Sequence, residues 1–142
     1  MTGGPLSRAR LRATKGREQA VGRRLLSVSL FVIAGGLLAQ ATLAGMFFTA
    51  AAREARIIHL LVGAFLPLLG IIPAVAAWRW AGRAVVTRSD ARLVTLLLVL
   101  LWVQKVLGQT PIPWTTAIHV PLGVVLFCLS LHLALRARSA GA

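Results

Sequence analysis

Six polar side chains stand inside otherwise apolar stretches of this sequence: Gln40, His59, Gln104, Lys105, His119 and His132. Ionisable or strongly polar groups are costly in an apolar environment, so each is by default a candidate for function, with a packing role as the alternative. The two histidines attract most interest. A neutral imidazole offers one donor and one acceptor nitrogen, and the acceptor is a common metal ligand. The other four have simpler uses: His132 and Lys105 can reach an interface along their own length, and Gln40 and Gln104 can bond across helices.

The spacing of these residues repeats. "QATLAG" (40 to 45) is followed by "HLLVG" (59 to 63), and "QKVLG" (104 to 108) is followed by "HVPLG" (119 to 123). Each half reads Gln-x-x-Leu, then Gly, then His-x-x-x-Gly. Positions i and i+4 share one face of a helix, so Gly63 and Gly123 are expected to clear bulk beside each imidazole on the side facing the bundle centre. Two imidazoles opposed in this way could hold a haem iron on both axial positions, with the second ring nitrogen bonded to a carbonyl or a glutamine. Zinc and copper fit less well, since only Met46 could join the two rings as a further ligand.

The elements that must position these residues are read from hydropathy. Of 142 residues, 58% are apolar, and they fall in four blocks: Leu25 to Ala50, Ile57 to Ala77, Leu93 to Gly108 and Trp114 to Leu135. Each is near the length of about 20 residues that carries a helix across a bilayer, the third being short. A spanning segment must satisfy its own backbone hydrogen bonds, and the alternating polarity of a closed barrel is absent, so helices are expected. At about 1.5 Å per residue, His59 lies roughly 3 Å and His119 roughly 7 Å inside its outer boundary, whereas Gln40 sits deeper than Gln104.

Charge sets the expected orientation. Thirteen of the sixteen basic residues lie before the first block, between the second and third, or at the tail, while the other side holds only Arg53 and Arg56. By the positive-inside rule both termini face the cytoplasm and the outer loops are 51 to 56 and 109 to 113. Trp78, Trp80 and Trp114 mark block boundaries, as interfacial aromatics do. Residues 1 to 24, with Gly3, Gly4 and Pro5 near the start, read as a mobile basic arm suited to anionic headgroups. No aromatic residue interleaves its charges, which argues against a nucleic-acid partner. Arg23-Arg24 ahead of an apolar run and of Ala39-Gln40-Ala41 loosely matches a cleaved twin-arginine signal, but the run continues to Ala50, and retention is expected.

Several function classes lack the residues to carry them. The single Cys128 forms no intramolecular disulfide and is expected to pack as a small hydrophobe in the fourth span. No Gly-rich phosphate loop, Ser/His/Asp set or facing carboxylate pair is present. Glu18, Glu54 and Asp90 all fall outside the blocks, so a proton-coupled exporter would have no acid within the membrane.

"VQKVLGQTPIPWTTAIHVPLGVVLF" together with "REARIIHLLVGAFLPLL" resembles one four-helix half of the haem A synthase fold. The chain looks closer still to small four-span bacterial membrane proteins that share the Gln…Gly…His…Gly pattern in each hairpin. The likeness covers about residues 28 to 130. It implies His59 and His119 as axial ligands of a haem near the outer face. That family has a functional glutamate three residues before the first histidine, and this chain has Arg56 there, with Glu54 two positions further off. Haem hydroxylation is therefore not what the resemblance implies here. Arg56, on the face of His59, is instead placed to clamp a haem propionate, with Arg53 and Lys105 as further candidates and a solvated loop charge as the plain alternative for the arginines.

The expectation is thus an all-α, four-span membrane bundle built from two parallel helical-hairpin repeats, with both termini cytoplasmic, in the inner membrane of a bacterium. It would bind haem b through His59 and His119, with Gly63, Gly123, Arg56, Lys105, Gln40 and Gln104 around it, for one-electron transfer or haem handling with a redox partner. The competing class is a non-catalytic accessory subunit of a larger membrane complex.

Overall fold

The structure is a computed structural model that describes residues 5–82, 86–110 and 112–139, so Gly3, Gly4 and Arg83 lie outside the described residues. It is a four-helix bundle: α1 (Pro5–Gly45), α2 (Ala52–Trp80), α3 (Arg88–Gln109) and α4 (Pro113–Ser139), with a 3-10 turn at Met46–Phe48 between α1 and α2. All four helices are long and apolar enough to cross a membrane. Large apolar side chains such as Ile57, Phe65, Val75 and Val106 are exposed, the arrangement a lipid-facing surface requires.

Helix limits differ from hydropathy limits for identifiable reasons. α1 extends back to Pro5, so residues 5–24 of the basic segment are helical and continuous with the first span. Arg, Lys, Gln, Leu and Ala all propagate a helix well, and hydropathy registers where the membrane ends, not where the helix does. At its other end α1 stops at Gly45, five residues before the apolar block does, because Met46–Phe48 tighten into the 3-10 turn and Thr49 Oγ1 donates to Met46 O at 2.8 Å. The short third block becomes a full 22-residue helix. Its start is hidden among the charges at 88 to 92 and secured by a capping box, in which Thr87 Oγ1 accepts from Asp90 N at 3.0 Å and Asp90 Oδ2 accepts from Thr87 N at 3.1 Å. Arg53 and Arg56 belong to the start of α2, not to a loop.

The helices form a square. α1 packs on α2 and α4, and α3 packs on α2 and α4, while the backbones of the diagonal pairs α1/α3 and α2/α4 stay apart. Leu26, Leu30 and Ile33 of α1, Ala74 and Ala77 of α2, Val94 and Leu97 of α3, and Leu126, Leu133 and Ala134 of α4 fill the half of the bundle that carries the chain ends. Close contacts tie that half together. Ser27 Oγ donates to Ala134 O at 3.0 Å, Arg136 Nε meets Asp90 Oδ1 at 3.3 Å, and Trp78 Nε1 donates to Thr95 Oγ1 at 2.9 Å. Trp80 lies flat over Gly22, where any Cβ would come within 2.5 Å of the indole. The other half, toward the end of α1 and the start of α4, is hollow. Cys128 is exposed on the outer surface of α4 rather than packed in the core, because its neighbours Leu126 and Ser130 take the inward face.

Candidate functional site

In the hollow half, residues far apart in sequence make the same contacts twice. His59 of α2 bonds through Nδ1 to the backbone oxygen of Gln40 of α1, at 3.1 Å. His119 of α4 bonds through Nδ1 to the backbone oxygen of Gln104 of α3, also at 3.1 Å. A carbonyl oxygen can only accept, so a neutral ring making this bond carries its proton on Nδ1 and leaves the lone pair on Nε2. Each hairpin thus holds an imidazole by Nδ1, with Nε2 left out of that bond.

The glycines have a use that spacing did not suggest. A Cβ on Gly63 would come within 2.5 Å of Gln40 Nε2, and one on Gly123 would come within 3.0 Å of Gln104 Nε2. The clearance is filled by the glutamine amide of the neighbouring helix, not left beside the imidazole. In the second hairpin the clasp closes, since Gln104 Nε2 also donates to His119 O at 2.9 Å. Both glutamine Oε1 atoms are buried without a hydrogen-bond partner, two acceptors of the kind that call for a donor or for tight packing to hold them. The early end of α1 at Gly45 also removes the mismatch in depth: Gln40 precedes the end of α1 by five residues, as Gln104 precedes the end of α3. The glycines at the helix ends are not equivalent. Gly45 faces open space, whereas Gly108 carries the His119 ring, and the residue that matches Gly108 four positions after its glutamine is Ala44.

His59 and His119 stand on diagonal helices and face one another across the bundle, with ring centroids 6.4 Å apart and planes inclined at 60°. Between and beside them is a cavity of about 320 Å³, at the small end of the range for ligand sites. Its wall pairs off at constant offsets. Leu37 and Leu101, Gln40 and Gln104, Ala41 and Lys105, and Ala44 and Gly108 are each 64 residues apart, while His59 and His119, Leu60 and Val120, Gly63 and Gly123, and Ala64 and Val124 are each 60 apart. Leu66, Phe127 and Gln109 complete much of the rest of the wall.

Of the candidate residues, the structure brings His59, His119, Gln40, Gln104, Gly63, Gly123 and Lys105 to this one cavity. Arg56 stands outside its wall. Its guanidinium lies 5.4 Å over the Phe47 ring, and Phe47 meets His59 edge-on at 5.2 Å. Phe47 went unnoticed in the sequence because it lies in the 3-10 turn, where no helical period points to a neighbour. Met46 is exposed, and among the described residues no three His, Cys, Asp or Glu side chains gather as a metal site. His132 lies on the outer surface near the end of α4.

Compared with protein-family models, with curated proteins and with solved structures, the chain matches none.

Proposed function

We propose that this protein is a membrane haem protein that holds one haem b between His59 and His119, near the outer face, for one-electron transfer or haem handling. The observation that carries this reading is the pair of opposed imidazoles, each with Nδ1 on a carbonyl and Nε2 spare. Two imidazoles on opposite sides of one metal ion, with metal–nitrogen bonds near ~2.0 Å, have ring centroids about 6 Å apart. The separation of 6.4 Å suits that donor set. A tetrahedral metal would want further ligands, and the two rings have no third partner of that kind among the described residues.

His59 and His119 would hold the haem, which would supply one-electron redox chemistry. The rest falls to the chain. The carbonyls of Gln40 and Gln104 orient the rings and make their Nε2 atoms better donors. Leu37, Leu66, Leu101 and Phe127 supply an apolar wall, which keeps water from the ring plane. The paired offsets of the lining support a further reading, that the chain is two hairpins duplicated in parallel about an axis along the membrane normal. With the basic residues on one side, both termini are then cytoplasmic and the cavity opens toward the outer leaflet.

One observation favours a second reading. The Gln-on-Gly contacts and the Nδ1 bonds satisfy much of the site without any ligand, as in an accessory subunit whose polar groups only lock helices together. Reduced-minus-oxidised spectra of the detergent-purified protein separate the two. The haem reading expects a low-spin b-type spectrum that disappears in His59→Ala and in His119→Ala; a colourless wild type, expressed with ample haem, refutes it in favour of the accessory role.

A further inference from the structure

The two sides of the cavity are close copies, and such a cavity has little means of telling one edge of a flat ligand from another. In charge they differ at one paired position. Where α1 offers Ala41, α3 offers Lys105, and both line the cavity. Lys105 is half-buried, with Nζ 5.1 Å from the centroid of the Trp102 ring. An aromatic face steadies a cation without neutralising it. No carboxylate of the described residues pairs with Lys105: Asp90 is engaged by Arg136 at the opposite end of the bundle, and Glu54 sits at the exposed start of α2. Lys105 stands four residues before the end of α3, half-buried in a largely apolar wall, where an anionic group is a favourable partner for its ammonium.

We infer that Lys105 is the specificity residue of the cavity: it selects a planar apolar ligand bearing a carboxylate and fixes that carboxylate on the α3 side. This rests on the haem reading, in which the carboxylate is a propionate. Arg56, held over Phe47 outside the wall, plays no part in the selection. The point charge of a lysine suits this use, since a single flexible donor can follow a propionate that is itself flexible.

The test is a titration of the full-length, haem-free protein in detergent with ferric protoporphyrin IX and with its dimethyl ester, followed at the Soret band. Wild type is expected to bind the diacid about tenfold more tightly than the diester, the scale of one charge-assisted hydrogen bond. Lys105→Met should bring the two affinities together while the low-spin Soret band persists, and Lys105→Arg should keep the preference. Equal affinities in wild type, or a preference that survives in Lys105→Met, overturn the inference and leave Lys105 as an anchor for lipid headgroups beside Trp102. Binding of neither porphyrin by wild type fails differently, because it removes the haem reading itself.

Discussion

Gly108→Ala isolates the seat of one imidazole. A Cβ there would lie 2.7 Å from Cε1 of His119, 3.2 Å from Nδ1 and 3.3 Å from Nε2. Carbon atoms in contact prefer about 3.5–4.0 Å, so the ring must retreat by about 0.8 Å. Gln104 O and Gly108 occupy the same turn of α3, and a ring driven from one leaves the other. The Nδ1 bond of 3.1 Å then opens past the ~3.5 Å at which such a contact ceases to count as a hydrogen bond. Overpacking costs about 1–3 kcal/mol and an interhelical bond in a membrane about 0.6 kcal/mol, while alanine returns about 1 kcal/mol of helix propensity. A net loss of about 0.6–2.6 kcal/mol is expected. Reversible unfolding in mixed micelles measures it, and the ¹⁵N signals of the His119 ring report whether Nδ1 remains a hydrogen-bonded donor. Ala44→Gly, at the matched position of α1, is the control and should cost only the about 0.5–1 kcal/mol of a helical glycine. A Gly108→Ala protein as stable as wild type, with unchanged ring signals, would show that α3 does not seat His119 in this way.

Two further perturbations probe the solid half of the bundle. Gly22→Ala puts a methyl within 2.5 Å of the Trp80 indole, which cannot slide aside as a flexible chain end would; a loss of about 1–3 kcal/mol is expected in the same unfolding assay, together with a shift in tryptophan emission, and an unaltered spectrum would refute the contact. Thr87→Ala removes the cap of α3 and its exchange with Asp90, so the protein should lose about 1 kcal/mol, with faster amide exchange confined to the first turn of α3; uniform exchange would count against the cap.

How far the site was legible turns on what kind of signal each residue left. His59, His119, Gln40, Gln104 and Lys105 were visible because polar groups in apolar helices are conspicuous against composition, and the order Gln-x-x-Leu, Gly, His-x-x-x-Gly recurs in both hairpins. The glycines were visible too, but their purpose was not. A spacing of four places Gly63 on the face of His59, and only packing of α1 on α2 shows that the Gln40 amide fills the space. Phe47, and the exposed position of Cys128, were likewise out of reach: one depends on the path of a turn, the other on the rotation of α4 about its axis.

Local and compositional features of the chain determined four apolar helices, their approximate spans and the short list of polar residues within them, since hydropathy and helix formation act over neighbouring residues and need no partner. What only the tertiary structure decided is which helices are diagonal, and so that the two imidazoles face each other at 6.4 Å across a cavity instead of looking outward. It also decided that each ring turns Nδ1 to a backbone carbonyl of the neighbouring helix. Those are relations between helices. They depend on rotation and register, which are set by side chains meeting across an interface, and no single stretch of sequence contains both sides of one.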